Sequence, residues 1–224
     1  MMDELVRLAS GIGDEGLRGL VVEFLEVPDV DVEGEKLPFD VCPGGAYVHH
    51  AYEGGLLQHT VAVVRLCVTL CDLVEDVYGG EVDRDTVLAG ALLHDVMKCY
   101  AYSRNGRYGF RTSPMGERLD HLSLLVAEMY RRGFPLDVIH VVASHHGDES
   151  PVKPKTLEAL VVSIADFADS ELSRQTLRAA EWLVRESTGS RRMMRSSEEA
   201  LEVLRVKALE GWGGVERLFS GKDK

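Results

Sequence analysis

The stretch Ala89-Gly90-Ala91-Leu92-Leu93-His94-Asp95-Val96-Met97-Lys98 constrains the fold most. Val87, Leu88, Ala91 and Leu92 recur at helical spacing, and Asp95 falls four residues after Ala91 and three after Leu92, on the stripe that faces the core. A lone buried carboxylate costs several kcal/mol unless it is paired, hydrogen-bonded or bound to a cation. Something positive must therefore lie opposite Asp95. The bland solution is a structural ion pair with Lys98 or a nearby arginine; the alternative is a bound cation.

The chain of 224 residues, 45% hydrophobic and 28% charged, has the composition of one globular domain, and its net charge of −12 disfavours a sequence-independent grip on nucleic acid. Met1 to Leu5 carries neither a basic nor an apolar leader region, and no stretch is expected to reach the ~18 apolar residues of a membrane span. A cytoplasmic protein without membrane contact is expected. Cys42, Cys67, Cys71 and Cys99 form no CxxC pair, so neither a disulfide framework nor a zinc knuckle is expected.

Apolar periodicity predicts one helix or two short ones over 3–26, interrupted at Gly11-Ile12-Gly13, and then an aperiodic segment over 28–52. The clearest helix runs from Gly54 to Val77, with His59 on its apolar stripe; the next carries His94-Asp95. Residues 100–117 read as a polar loop with a short hairpin at Asn105-Gly106, whose arginines and aromatics form either a solvated loop or a lid that meets an anionic or planar substrate. Helices follow at 117–132 with His121, and at 135–146 ending in His145-His146. A further helix, strongly apolar from Ala159 to Ala168, contains Asp166 and reaches Asp169. A closing helix near 197–210 and a short piece with Trp212 complete an all-α bundle. It is read as one domain: a helical segment 1–27, a core 28–186 and a C-terminal extension 187–224.

His59, His94, Asp95, His121, His145, His146 and Asp166 thus lie on five helices at interior positions. Imidazoles with carboxylates and no thiolate suit a divalent transition ion, and this number of donors, with one carboxylate able to bridge, suffices for two. Two such ions clamp a phosphoryl group and activate water near neutral pH. Lys98, one turn on, is placed to offset charge on phosphate oxygens.

This ordered set, with the stretches His49–Thr60, Ser144–Gly147 and Ser150–Leu160, resembles the HD-domain metal-dependent phosphohydrolases over residues 40–172. The resemblance implies one metal held by His59, His94, Asp95 and Asp166, and a second by His121, His145 and His146 with Asp95 bridging. Iron or manganese is favoured, with cobalt, nickel or zinc open. Asp95 and Lys98 are implied as the catalytic groups. Met97 stands where the family commonly has glycine and adds bulk beside Lys98. Similar family members include the HD module of bacterial 3′→5′ exoribonucleases and archaeal enzymes that open 7,8-dihydroneopterin 2′,3′-cyclic phosphate in tetrahydromethanopterin synthesis. The acidic balance and the lack of room for an OB-fold favour a small phosphorylated substrate over extended nucleic acid. A nuclease or nucleotide phosphohydrolase and a non-catalytic metal-binding module remain as alternatives.

Overall fold

A computed structural model describes residues 2–28, 30 and 36–220; part of the segment expected to be aperiodic over 28–52 lies outside them. Helices α1 (Met2–Ala9) and α2 (Glu15–Glu26) are split where Gly11–Gly13 interrupts the periodicity. Asp14 caps α2 by accepting from Leu17 N, and Asp85 accepts from Gly13 N and Asp14 N, tying the turn to the start of α4. Helix α3 (Gly55–Asp76) follows Gly54, whose φ of 79° is one that a residue with a side chain rarely adopts.

Asp83 opens α4 (Arg84–Leu93) by accepting from Asp85 N and Thr86 N. The short α5 (Lys98–Ala101) leads into an antiparallel hairpin, β1 (Tyr102–Asn105) with β2 (Gly109–Thr112), in the register Tyr102 opposite Thr112. Helices α6 (His121–Arg131), α7 (Leu136–Ser144), α8 (Leu157–Thr188) and α9 (Ser197–Phe219) complete the order. Gly211, with φ 69° and ψ −159°, breaks α9 just before Trp212. The protein is a single all-helical domain with one two-stranded hairpin among the described residues.

The 32-residue α8 is the spine. Its first half closes a core built from α1 to α7, in which Leu5, Phe24, Leu56, Leu93, Leu125 and Val142 are fully or almost fully buried. Its second half packs Leu177, Ala180 and Val184 against Val203 and Val215 of α9. Helix α3 is long and apolar enough to pass for a membrane span, with mean hydropathy 1.5 over its best window, contrary to expectation. Its buried face instead packs into this core and carries His59.

Two helices meet unusually closely. A Cβ on Gly90 would overlap Val141 Cγ1, so α4 and α7 cross at this point with no room for a side chain. Gly90 lies four residues before His94, and Val141 four before His145. The crossing therefore brings the His94 and His145 rings to 5.0 Å, centroid to centroid.

Candidate metal centre

His94 and Asp95 do not sit within a helix. Helix α4 ends at Leu93, where Gly90 O accepts from His94 N, and the chain turns through His94–Met97 before α5 resumes with Lys98 N donating to Asp95 O. The turn aims both side chains into the core, where His94 is fully buried and Asp95 is 1% exposed. His121 is the first residue of α6, which starts later than periodicity suggests because Asp120 caps it through Ser123 N. His145 caps the C-terminus of α7 and His146 follows in the turn, so the helix stops at Ser144, short of the 135–146 expected from periodicity, and Gly147 turns the chain away with φ 61°. Asp166 projects from α8.

Two clusters of donor atoms result. In the first, His59 Nε2 lies 3.1 Å from His94 Nε2, 3.1 Å from Asp166 Oδ1 and 3.3 Å from Asp95 Oδ2. In the second, Asp95 Oδ1 lies 3.2 Å from His121 Nε2 and 3.6 Å from His145 Nε2, with the His146 ring 3.9 Å from that of His145. Each set offers four donor atoms within 4.8 Å of one another, and Asp95 belongs to both. All seven side chains anticipated from the sequence thus converge.

The hydrogen bonds on the far side of each ring fix what the near side presents. His94 Nδ1 donates to Ala91 O at 2.8 Å, and His145 Nδ1 to Val142 O at 2.7 Å. His59 Nδ1 donates to Asp169 Oδ2 at 2.7 Å. Carbonyls and carboxylates only accept, so these protons sit on Nδ1, and a neutral ring turns a bare Nε2 lone pair inward. Lone pairs 3.1 Å apart, flanked by two carboxylates, repel unless a positive charge lies between them. Asp95 Oδ1, His121 Nε2 and His145 Nε2 are buried and without a hydrogen-bond partner among the described residues. Buried acceptors left open in this way fit a divalent cation, and the outer hydrogen bonds are of the kind that orient metal ligands.

The local field is consistent with this. Burial pushes the Asp95 carboxyl upward, but the Lys98 ammonium and the surrounding His94, His121 and His145 rings hold it well below the usual carboxylate range. Burial lowers the Lys98 ammonium and the Asp95 charge raises it, with a net rise. Burial depresses His59, and the carboxylates of Asp166, Asp169 and Asp95 carry it well above its ordinary value when no cation is present. Lys98 pairs with Asp95 Oδ2, so the structural ion pair weighed from the sequence does exist, yet it accounts for only one carboxylate oxygen.

Three further groups surround the clusters without having been singled out as site residues. Asp169 follows Asp166 by one turn, a spacing that signals a shared face. His49 and His50 stack toward His59 with centroid distances of 4.9 and 5.3 Å; His50 holds φ 45° while its N donates to Ser173 Oγ. Nothing in local periodicity marks that pair.

A cavity of about 780 Å³ opens above the clusters, with Lys98, Tyr102, His145, His146 and Asp166 in its wall. Met97 is fully buried and does not line it, so the departure from glycine is absorbed by the core. The hairpin contributes Tyr102, whereas Arg104, Arg107 and Arg111 do not reach the cavity. Arg104 pairs with Glu53, Arg107 lies over Tyr108 and Arg111 donates to Ser103, so of the two readings the arginines follow the solvated loop and not the lid.

This fold and histidine–aspartate constellation place the chain in a known class. It belongs to the HD-domain family, whose profile matches residues 56–171, and it is a metal-dependent phosphohydrolase of that type. Over 213 residues it is 42% identical to the dihydroneopterin 2′,3′-cyclic phosphate phosphodiesterase of Methanocaldococcus jannaschii, covering 94% of this chain and 85% of that protein. It is also 28% identical over 153 residues to the 3′-5′ exoribonuclease YhaM of Bacillus subtilis, covering 63% of this chain and 46% of YhaM. The YhaM of Listeria monocytogenes EGD-e is 30% identical over 142 residues, 58% of this chain and 43% of that protein. No solved structure matches the chain.

Proposed function

We propose that the protein hydrolyses 7,8-dihydroneopterin 2′,3′-cyclic phosphate, using two divalent ions. The observation that carries the reading is the pair of buried donor clusters sharing Asp95 beneath an open cavity, in a chain similar over most of its length to an enzyme of that name. His59, His94, Asp95 and Asp166 would hold one ion, and His121, His145, His146 and Asp95 the other. The donor set of nitrogen and oxygen without sulfur suits iron or manganese, and admits cobalt, nickel or zinc. Such ions, when bound, lower the pKa of water and offset charge on phosphate oxygens.

The side chains supply the rest. The Nδ1 bonds to Ala91 O, Val142 O and Asp169 keep three imidazoles aimed inward without rearrangement during turnover. Lys98, held as an ammonium by Asp95, presents positive charge at the cavity wall, where it stabilises charge building on the phosphate in the transition state. The strain of a five-membered cyclic ester lowers the demand on leaving-group protonation. Four free buried cysteines suit a reducing cytoplasm.

The test is an assay of metal-reconstituted protein on the pterin cyclic phosphate, a short oligoribonucleotide and a nucleoside monophosphate, with Asp95→Ala as control. Opening of the cyclic ester by wild type, lost in the variant, is expected. Preferential release of mononucleotides from the oligomer would overturn the substrate, and full activity of Asp95→Ala would overturn the site.

A further inference from the structure

The wall of the cavity away from the ion-binding clusters carries features that phosphate chemistry does not use. Helix α8 lines the cavity with Ser163, Asp166, Phe167, Ser170, Glu171 and Arg174, which recur at intervals of three and four and so form one stripe. From Asp166 to Arg174 this stripe rises ~12 Å along the helix axis. Phe167 comes directly after Asp166, yet its ring is 71% exposed, and Ile164 on the same wall and Val48 in the cavity lining are 47% and 54% exposed. Three apolar side chains facing an open cavity beside buried charge make a surface for a flat ring.

One turn beyond Phe167 stands Glu171. Its Oε2 accepts from Arg174 Nε at 2.8 Å and from Nη2, and its Oε1 accepts from Gln175 Nε2 at 2.6 Å. These donors hold the carboxylate in one orientation and take three of its about four lone-pair sites, leaving one open on Oε1. A fused pyrimidine bearing 2-amino and 4-oxo groups presents two parallel N–H donors, one on the ring and one on the amine. One of these N–H groups fits the open site on Glu171 Oε1, in a hydrogen bond strengthened by the carboxylate charge.

We infer that Phe167 and Glu171 form the subsite for the heterocycle, Phe167 stacking on its face and Glu171 accepting from an N–H of its 2-amino-4-oxo edge, with the phosphate beside Lys98 at the mouth of the donor clusters. The inference rests on the proposed function and names the residues that confer its specificity. It also separates two demands on α8: Asp166 faces the ions, and the next residues in the stripe read the ring.

The experiment compares wild type, Phe167→Ala and Glu171→Gln on two esters. One is 7,8-dihydroneopterin 2′,3′-cyclic phosphate; the other is glycerol 1,2-cyclic phosphate, which has the same reacting ring and no heterocycle. Free 7,8-dihydroneopterin serves as a competitive inhibitor of both reactions. For Phe167→Ala, KM for the pterin ester and Ki for the free pterin should rise about tenfold or more, the span carried by one aromatic stack. Glu171→Gln should raise both about tenfold, and kcat/KM for the glycerol ester should stay within twofold in either variant. Unchanged KM and Ki overturn the subsite, as do equal losses on both esters, which would put these residues in the support of the ions. A changed molecular mass of Phe167→Ala with an unaltered KM, read by light scattering, would put the ring in a subunit contact and also overturn it. Failure of wild type on the pterin ester while it cleaves the glycerol ester would instead overturn the proposed substrate.

Discussion

Gly90→Ala isolates the contact that assembles the centre. In an ordinary helix interior this change stabilises by about 0.8–1.0 kcal/mol, since alanine loses less chain entropy than glycine. Here the added methyl overlaps Val141 Cγ1 and lies 3.0 Å from its Cβ, inside the ~3.5–4.0 Å of normal carbon contacts. Overpacking costs about 1–3 kcal/mol and so deep an overlap with Cγ1 belongs to the upper part of that span, so against the gain of about 1 kcal/mol the expected net loss is about 1–2 kcal/mol. For a chain of this size that lowers Tm by roughly 3–6 °C. Val141→Ala removes the overlapping Cγ1 and leaves only the tight 3.0 Å approach to Cβ, so adding Gly90→Ala to that background should cost much less than in wild type, and a double-mutant cycle should show a coupling of at least about 1 kcal/mol. Metal affinity should fall with Gly90→Ala alone, because widening the crossing separates His94 from His145. Thermal unfolding of the four proteins is the assay. A higher Tm for Gly90→Ala, or an equal effect in both backgrounds, would refute the claim that the crossing is set by the missing Cβ.

Asp169→Ala removes the acceptor that orients His59 and should weaken metal binding about 10–100-fold, read as a shift in the metal concentration needed for activity; an unchanged titration curve would exclude this role. Chelation should abolish hydrolysis, and returning a divalent ion at a hundredfold excess over its Kd should stabilise by about 2.7 kcal/mol, or roughly 5–10 °C in Tm, with no change after Asp95→Ala if the ion binds elsewhere. Glu128, gripped by Arg131 and Arg132, has its carboxyl held below the usual value by the Arg131 hydrogen bond, against burial, with Arg132 adding to the effect. A depressed folded pKa contributes stability above the unfolded value of about 4.3 and loses it as pH falls through the folded one. Glu128→Gln should therefore destabilise by about 1 kcal/mol at pH 7, since Arg131 is largely exposed, and the gap to wild type should close below about pH 4.3; a gap that persists at pH 3 in urea unfolding would contradict this.

What the sequence disclosed followed the range of the forces involved. The period of α3 came within a residue of its ends, and His59 and Asp166 could be placed inward because a helix face is a local property. The end of α4 was not legible: Ala91, Leu92, Leu93 and Val96 continue an apolar run, and only packing against α7 shows that His94 and Asp95 occupy a turn. The hairpin was signalled by Asn105-Gly106, but the partners of its arginines were not, because Glu53 lies 51 residues from Arg104. Asp169 was visible one turn from Asp166, yet its bond to His59 spans 110 residues and needs the α3–α8 packing. The His49-His50 pair carries no periodic signal, and its placement depends on a backbone angle at His50 that side-chain patterns do not encode.

The same separation explains how so acidic a chain keeps an anion-dense core. Asp95, Asp166 and Asp169 are each at least nine-tenths buried, and among the described residues the lysine or arginine side chain that reaches the clusters is Lys98. One ammonium cannot balance three carboxylates in a low-dielectric interior, and the inward nitrogens add lone pairs rather than charge. Without further positive charge His59 takes up a proton, as its raised pKa indicates, and that proton occupies the nitrogen a metal would use. Cation binding and deprotonation of His59 are therefore linked, so metal affinity should rise with pH until His59 is neutral. Measured proton release on titrating the apo protein with a divalent ion tests this linkage: about one proton per first-site ion is expected near neutral pH, and none would mean that the clusters are already balanced without metal.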